Sequence, residues 1–335
     1  MSKISDIVKI NKITAKNRIL MPALVCFNWS DAEGFQTVDR AEHYGRRANG
    51  GTGTIVIEAT AVSKEGRITE KQLGLWDNGH IEQFTKIADA CRKENCLVIV
   101  QLVHAGRKEP SDNHCNGLST EEITKVKQDF VNAAVRAKKA GLDGVEIHGA
   151  HGFLLNQFAS KVSNNRTDGY GGSLDNRIKL SLEIVREVRD SIGSDPIISY
   201  RFGVNDPSFE EDIYFAKKLV SAGVDLLDVS AGIGSDEIEA PSDFGFSAIT
   251  YMGKVIHENV DIPVASVYGI RFPEQAEKLL EMEHTDIVAV GRGILADPDW
   301  TNKALKGEKV NHCLYCEPWC RYGKDGRTCP GRQYR

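Results

Sequence analysis

Eight short apolar segments alternate with longer amphipathic segments along the 335 residues, and this alternation constrains the fold most. The short segments are rich in β-branched residues and are predicted strands at 18–23, 54–59, 97–102, 144–148, 196–201, 225–230, 262–267 and 286–291. Helical periodicity covers 39–48, 80–94, 120–140, 175–191, 208–222, 249–258 and 273–283, with a shorter helix after Pro298. Because strands that are apolar throughout are buried on both faces, we expect a parallel sheet covered by helices.

Eight strand–helix units predict an α/β fold of the (β/α)8 TIM barrel type. The competing fold is an open, doubly wound sheet, which should carry a G-x-G-x-x-G turn after its first strand. Residues 21–25 (MPALV) at that place contain no glycine. We therefore expect one barrel domain at 1–308. A polar, Cys-rich C-terminal extension at 309–335 follows the last helix.

Charge and hydropathy narrow the class of protein. The net charge is −5, both signs are interspersed, and no long basic run is present, which argues against a nucleic-acid or anionic membrane partner. No segment approaches 18 uninterrupted apolar residues, and the N-terminus lacks the apolar core of a signal peptide. We expect a cytoplasmic protein that acts on a small molecule and forms a homo-oligomer.

Two histidines close the fourth predicted strand, in the segment 144–153 (GVEIHGAHGF). Active residues of a TIM barrel lie at the carboxyl ends of the strands and in the following loops, so His148 and His151 belong to the mouth of the barrel. Such a pair can bind an anion, an oxyanion or a metal ion. The alternative is two structural histidines in a Gly-rich loop. Gln101 and Arg201 end neighbouring predicted strands and favour the functional interpretation.

A phosphate site is predicted after the last two strands. Gly269 follows the seventh strand, and Gly291 with Arg292 follows the eighth, where many barrels hold a phosphate. Glycine allows backbone N–H groups to approach the phosphate, and an arginine adds a charge-assisted hydrogen bond. Ordinary turn glycines are the alternative interpretation. The expected ligand is a phosphorylated cofactor or substrate.

Five motifs together resemble the old yellow enzyme family of FMN oxidoreductases. They are 17–22 (NRILMP), 101–107 (QLVHAGR), 143–157, 165–177 (NRTDGYGGSLDNR) and 290–292 (VGR). They occur in the family's order and cover nearly the whole chain. The resemblance implies an FMN-dependent enzyme of the NADH:flavin oxidoreductase type.

The resemblance also implies a role for each candidate residue. Gln101 would pair with the pyrimidine edge of the flavin, because an amide offers both a donor and an acceptor. Arg201 would lie beside the flavin N1/O2 edge and stabilise the anionic reduced form. The resemblance implies backbone contacts to the flavin ring from Ala23, Leu24, Val25 and Ala59. It implies contacts to the ribityl phosphate from Gly269, Gly291 and Arg292. His148 and His151 would bind a substrate oxygen.

The tail carries a second resemblance. The spacing Cys313-x2-Cys316-x3-Cys320-x8-Cys329 is similar to the [4Fe–4S] site of the branch that contains 2,4-dienoyl-CoA reductase and trimethylamine dehydrogenase. Structural zinc is the alternative, since four-cysteine zinc sites also begin with C-x2-C. The larger members of that branch continue into a second nucleotide-binding region, which we do not expect here because the sequence ends at Arg335.

Two residues depart from the family pattern. Val25 stands where the family often has Thr or Cys against the flavin, so that contact is lost unless Cys26 supplies it. Phe153 stands where the family usually has the tyrosine that protonates the substrate. Water, Tyr251 or Tyr268 could donate that proton instead, or the reaction needs none.

Three functions remain open on these residues. The first is an ene-reductase that reduces an activated C=C bond with electrons from NAD(P)H or a partner protein. The second is a dehydrogenase of amines or related substrates that passes electrons outward through the cluster. The third is an electron-transfer flavoprotein subunit of a larger complex. The histidine pair favours the first over the third, whereas Phe153 weakens the first.

Overall fold

The computed structural model describes residues 3–106, 114–317 and 320–333, so Arg107 of the second motif lies outside the described residues. A hairpin of β1 (Val8–Ile10) and β2 (Ile13–Ala15) precedes a closed barrel of eight strands. The barrel strands are β3 (Ile19–Met21), β4 (Thr54–Ala61), β5 (Leu97–Val103), β6 (Gly144–Gly149), β7 (Ile197–Val204), β8 (Leu226–Ala231), β9 (Val264–Val267) and β10 (Ile287–Ala289). Every neighbouring pair is parallel, and β10 closes the barrel against β3. The predicted (β/α)8 TIM barrel is confirmed.

Helices surround the barrel at the predicted places. They are α1 (Arg40–Asn49), α2 (Ile81–Arg92), α3 (Thr120–Lys139), α4 (Leu154–Ala159), α5 (Leu174–Ile192), α6 (Glu210–Ala222), α7 (Ala248–His257), α8 (Pro273–Glu281), α9 (Arg292–Ala296), α10 (Trp300–Lys306) and α11 (Arg321–Lys324). The sequence did not predict α4, α9 and α11, which have 6, 5 and 4 residues, because helical periodicity needs a longer window to be seen. Within the described ranges, no helix has the length and hydropathy needed to cross a membrane.

The helix starts follow from local side-chain chemistry. Ser119 accepts a hydrogen bond from the Glu122 N–H, and the Glu122 carboxylate accepts one from the Ser119 N–H, which forms a capping box at α3. At α1 the Asp39 side chain accepts a hydrogen bond from the Glu42 N–H, without the reciprocal bond. These caps satisfy N–H groups that the first helical turn leaves without a partner.

The barrel interior has an apolar layer at the amino-terminal end of its strands. Leu20, Val56, Ile99, Ile197 and Leu226 are fully buried there, and each comes from a different strand. The N-terminal hairpin packs its own buried residues against the same cluster and covers this end of the barrel. A packed interior of this kind leaves the opposite, carboxyl end of the strands for ligand binding.

Above the apolar layer lies a polar layer of buried, inward-facing side chains, namely Gln101, Glu146, Ser199, Arg201 and Asp228. Side chains alternate along a strand, so Arg201 shares the inner face of β7 with Ile197, whereas Tyr200 and Phe202 pack in the outer core. The predicted strand ended at Arg201, which is wrong, because β7 continues through hydrogen-bonded pairs to Val204. Arg201 therefore projects into the barrel from within a strand rather than from a loop.

Candidate active site

A cavity of about 510 Å³ lies at the carboxyl end of the barrel. The structure brings eight of the eleven predicted flavin and substrate residues to its wall, namely Ala23, Leu24, Val25, His151, Arg201, Gly269, Gly291 and Arg292. The residues that line it do not include Ala59, Gln101 and His148, which are buried beside or below it. Strands distant in sequence thus place their carboxyl ends around one cavity, as the closed barrel requires.

Gln101 is held by the buried carboxyl group of Glu146, which Ser199 holds in turn. Its Nε2 donates to Glu146 Oε1 at 2.8 Å, and Glu146 Oε2 accepts from Ser199 Oγ at 2.8 Å. This leaves Gln101 one further N–H and its carbonyl oxygen, the donor and acceptor that a flavin pyrimidine edge would need. Glu146 was not predicted. Its signal in the sequence is a lone acid two residues before His148, on the same face of an otherwise apolar strand.

Glu146 should make the stability of the protein depend on pH. Burial, reinforced by the charge of Asp228, raises the pKa of Glu146 to about 7. Between these pKa values the folded protein holds a proton on Glu146 that the unfolded chain releases. The free energy of unfolding should therefore fall as pH rises from about 4.5 to about 7. We expect the Glu146→Gln variant to lose part of this slope when urea unfolding is measured across that window.

Asp212 supplies the matched control for that measurement. Burial also raises the pKa of Asp212 to about 7, although this residue lies outside the polar layer and accepts the backbone N–H groups of Asn205 and Asp206. Asp212→Asn should reduce the slope without affecting a ligand bound through Gln101. An unchanged slope in Glu146→Gln would contradict the assigned protonation of Glu146.

Arg201 and Asp228 form a buried ion pair under the cavity. Arg201 Nη1 donates to Asp228 Oδ2, and both side chains are almost inaccessible to solvent. Among the described residues, Arg201 Nε and Asp228 Oδ1 have no hydrogen-bond partner although both atoms are buried. Buried polar atoms are almost always paired, so an orphaned guanidinium N–H at a cavity wall indicates a ligand that accepts a hydrogen bond.

The two histidines form a continuous hydrogen-bond chain with Ser230. The Ala150 N–H donates to His148 Nδ1 at 3.2 Å, His148 Nε2 and His151 Nδ1 are 3.3 Å apart, and His151 Nε2 lies 2.7 Å from Ser230 Oγ. The sequence predicted that His148 and His151 act as a pair, and the structure places them in direct contact. Ser230 and His151 line the cavity.

Both imidazoles are neutral at physiological pH. Burial lowers the pKa of His148 well below its usual value, and the charges of His151 and Arg201 lower it further. Burial, followed by the charge of Arg201, lowers the pKa of His151 to about 3. Each ring therefore carries one proton, so the pair acts through hydrogen bonds rather than through positive charge.

Phe153 lies where a proton donor was expected from the resemblance. Its ring contacts the His148 ring edge to face, with the ring centroids 4.9 Å apart. Of the two tyrosines considered as substitute donors, Tyr268 lines the cavity and is 52% exposed. Tyr251 packs against Phe209 and Phe244 and is not among the lining residues.

The loops after β9 and β10 border the other end of the cavity. Gly269 has φ 79°, a conformation that favours glycine, and a Cβ built on it would meet no atom within 4 Å. Tyr268 beside it has φ 90°, which is unusual for a tyrosine and indicates a backbone held by its surroundings. Arg292 lies over the Tyr268 ring, 5.7 Å from its centroid. Open space beside glycine and arginine fits a phosphate group.

Arg271 is a site residue that the sequence analysis missed. Its guanidinium lies 4.6 Å from the Tyr315 ring centroid, and that of Arg292 lies 4.0 Å away, so the ring contacts both cations. Arg271 Nη2 donates to the Cys313 carbonyl, and Nε is a buried atom for which the described part of the chain supplies no partner. The available signal was the repetition of glycine followed closely by arginine after both β9 and β10.

Cys26 contacts the tail rather than the cavity. Its side chain is fully buried, and its Sγ accepts a hydrogen bond from the Gly326 N–H at 3.2 Å. Burial raises the pKa of this thiol to about 11, so it stays protonated. The possibility that Cys26 replaces the contact missing at Val25 is therefore not supported by the geometry.

The four tail cysteines share the wall of one small cavity of about 20 Å³. Arg292, Leu295, Tyr322, Cys313 and Cys320 belong to this wall and also to the wall of the large cavity, so the two cavities adjoin. In residues 3–106, 114–317 and 320–333, however, no three His, Cys, Asp or Glu side chains are arranged to hold a metal ion. The four cysteines therefore border one cavity, but their arrangement among the described residues does not meet the geometry of a metal site.

The polar mouth of the barrel and the glycine- and arginine-containing loops after β9 and β10, together with the sequence comparison, define an FMN-dependent oxidoreductase. The profile of the NADH:flavin oxidoreductase / NADH oxidase family matches residues 6–116 and 111–311. The chain belongs to this family.

Curated relatives are about one third identical to the chain over the aligned residues. An NADPH dehydrogenase of Listeria monocytogenes serotype 4b is 36% identical over 92% of this chain and 97% of its own length. The NADPH dehydrogenase of Bacillus subtilis is 34% identical over 89% of this chain and 93% of its own length. An NADH oxidase of Thermoanaerobacter brockii is 36% identical over 94% of this chain, which spans only 53% of that protein.

Solved structures agree with the fold. A 2-naphthoyl-CoA reductase in complex with 2-naphthoyl-CoA superposes with a TM-score of 0.82 at 25% identity, over 94% of this chain and 54% of that one. An old yellow enzyme homologue from Zymomonas mobilis superposes with a TM-score of 0.78 at 25% identity, over 93% and 95% of the two chains.

Proposed function

We propose that this protein uses electrons from NADH or NADPH to reduce an activated C=C bond, one conjugated to a carbonyl group. The observation that carries the proposal is the neutral His148–His151 pair beside a cavity whose wall includes Arg201, a residue whose buried Nε has no partner among the described residues. Neutral hydrogen-bond donors next to a fixed cation suit a substrate in which one oxygen gains negative charge during the reaction. The 2-naphthoyl-CoA reductase neighbour supports a conjugated acyl group as the substrate class.

The residues that line the cavity, together with Gln101 and Ala59, which are buried outside its lining, fit FMN. Gln101 would bind the pyrimidine edge, Arg201 the N1/O2 edge, and the backbone of Ala23, Leu24, Val25 and Ala59 the ring. Gly269, Gly291 and Arg292 would bind the phosphate, and Arg271 adds a second cation there. Bound FMN supplies hydride transfer between a nicotinamide and the β-carbon of the substrate.

The chain's own residues then orient the substrate and stabilise its charge. The hydrogen bonds of His148 and His151 lie at the polar part of the cavity, where a carbonyl oxygen would be bound. Arg201 supplies a fixed positive charge at the wall of the cavity. Asp228 accepts a hydrogen bond from its Nη1, and its Nε has no partner among the described residues. Preorganised donors of this type lower the barrier because they need no rearrangement as charge develops.

The test is anaerobic reduction of the purified holoenzyme by NADPH, followed by addition of 2-cyclohexen-1-one. We expect the flavin spectrum to return to the oxidised form with one equivalent of saturated ketone produced. A reduced enzyme that oxygen reoxidises but the enone does not would overturn the proposal.

A dehydrogenase that releases electrons through a [4Fe–4S] cluster is the second candidate. Phe153 favours it, because amine or alcohol oxidation needs no phenol at this position. The adjoining cavities favour it as well, since Cys313 and Cys320 line both of them. This candidate places the chain in the iron–sulfur branch and gives segment 309–335 a cofactor of its own, with zinc as the alternative metal. It also requires a partner protein to accept the electrons.

Removing one tail cysteine tests the cluster directly. We expect the Cys316→Ser variant to lose iron and acid-labile sulfide while keeping FMN, because a cubane needs its thiolate ligands. Cys91→Ser changes a buried thiol outside the tail and serves as the control. Wild-type protein that contains zinc and no iron would show a structural metal instead. Cytoplasmic location and homo-oligomer formation stay predictions.

A further inference from the structure

Two arginines in the loops after β9 and β10 have no acidic partner. Arg271 and Arg292 are both partly buried, and within the described ranges neither forms an ion pair with a carboxylate. Cations that are removed from water are normally paired with an anion or a polar acceptor. Arg271 meets this need only in part, because its Nη2 donates to the Cys313 carbonyl at 2.9 Å while its buried Nε has no partner in the same part of the chain. The pair of guanidinium groups therefore suits a negatively charged ligand.

One aromatic ring contacts both guanidinium groups. The central carbon of the Arg292 guanidinium lies 4.0 Å from the Tyr315 ring centroid, and that of Arg271 lies 4.6 Å from it. Two like charges against the same ring repel each other, and the electron-rich face of the ring offsets part of this repulsion. A phosphate group would offset the rest, since it accepts charge-assisted hydrogen bonds from arginine.

The backbone holds Tyr315 and Arg271 together. Tyr315 has φ 50°, which lies in the left-handed region that large side chains rarely adopt. Its N–H donates to Cys313 Sγ at 3.4 Å, and the Cys313 carbonyl accepts the hydrogen bond from Arg271, so one residue is bonded to both. The Arg271 N–H donates to Gln275 Oε1 at 2.8 Å, and its carbonyl accepts from Trp300 Nε1 at 3.1 Å. Strained residues persist where their surroundings fix them, and they cluster at segments that hold ligands.

We propose that Tyr315, a residue of the C-terminal extension, positions Arg271 and Arg292 to bind the phosphate group of FMN, so that the extension sets the affinity of the barrel for its cofactor. All three side chains belong to residues that line the large cavity, and Gly269 in the same wall has open space beside it. Tyr315 acts through the two arginines and is therefore a positioning residue. The inference rests on the FMN site of the proposed function and not on the reaction catalysed there.

Competition between FMN and riboflavin tests the inference, because riboflavin has the same ring and ribityl chain but no phosphate group. The full-length holoenzyme is dialysed against mixtures of the two flavins, and the bound flavins are then released and quantified. We expect Tyr315→Leu to lower the preference for FMN over riboflavin about 10- to 30-fold, which corresponds to the loss of two cation–π contacts. Tyr315→Phe keeps the ring and should keep the wild-type preference. An equal preference in Tyr315→Leu and the wild type would overturn the inference.

Two further variants separate positioning from a general loss of structure. Leu314→Ala changes the neighbouring side chain, which is 44% exposed, and should keep the wild-type preference. Arg271→Ala should lower the preference by itself, and adding Tyr315→Leu to it should have a smaller effect than in the wild type, because one of the two contacts is already lost. Effects that add fully would contradict the positioning role. A Tyr315→Leu variant that binds neither flavin would contradict it as well, since only recognition of the phosphate should be affected.

Failure of the proposed function would look different. A wild-type enzyme that does not reduce 2-cyclohexen-1-one but prefers FMN through Tyr315 contradicts the reaction and leaves the role of Tyr315 intact. An enzyme that reduces the enone, and whose Tyr315→Leu variant keeps the full preference for FMN, contradicts the role of Tyr315 alone. A wild type that binds riboflavin as tightly as FMN also overturns that role, because no phosphate group is then recognised.

Discussion

Replacing Phe153 with tyrosine is expected to raise the rate at which an enone reoxidises the reduced enzyme by about 100-fold, the lower end of what general acid catalysis contributes. The Phe153 ring already lies against His148, with 4.9 Å between the ring centroids, so a phenol here would stand beside the histidine pair. The measurement is stopped-flow reoxidation by 2-cyclohexen-1-one after anaerobic reduction with NADPH. The rate of the preceding reduction should stay the same.

Phe153→Leu is the matched control, since it replaces the same side chain without adding a hydroxyl group. It should show no gain in the reoxidation rate. An unchanged rate in Phe153→Tyr would mean that another group already protonates the substrate or that protonation does not limit the rate. Tyr268→Phe separates these cases, because Tyr268 is the tyrosine of the two candidates that lines the cavity.

Breaking the buried Arg40–Glu58 ion pair is expected to lower the free energy of unfolding by about 3–5 kcal/mol, because the remaining charge is left without a partner. Arg40 Nε donates to Glu58 Oε1 at 2.7 Å, and both side chains are nearly inaccessible. Glu58 Oε2 also accepts the Cys26 N–H, and Arg40 Nη1 donates to the Trp29 carbonyl. The pair therefore secures the segment after β3 that forms part of the cavity wall.

Urea unfolding of Arg40→Met, with FMN content measured in parallel, checks this prediction. The double variant Arg40→Met, Glu58→Leu should recover most of the lost stability, because neither charge then remains buried alone. Lys86→Met breaks the exposed Lys86–Glu82 pair and should leave the unfolding midpoint unchanged. A midpoint in Arg40→Met that equals the wild-type value would contradict the assigned role of the pair.

Much of the fold was predictable because its signals are local. Apolar runs and helical periodicity place all eight barrel strands and the long helices. The same patterns fail where elements are short or where strands extend beyond their apolar core. The helix α4 was missed for the first reason, and the last residues of β7 for the second.

Part of the candidate site was predictable from position on the strands. His151, Arg201, Gly269 and Arg292 follow or belong to strand ends, and the closed barrel brings them to one cavity. Arg271 was missed because its role depends on Tyr315, which is distant in sequence and contacts it only through tertiary packing. The partner of Cys26 could not be predicted either, because Gly326 is 300 residues further along the chain.

The sequence by itself determined the barrel, the family and the residue types at its mouth, since these depend on periodicity and on motifs read along the chain. Only the tertiary structure decided which of those residues touch one another. The contacts that join Ala150, His148, His151 and Ser230 depend on distances between atoms on β6, its loop and β8. Hydrogen-bond donors and acceptors act over about 3 Å, and no pattern along the sequence encodes such a distance between separate strands.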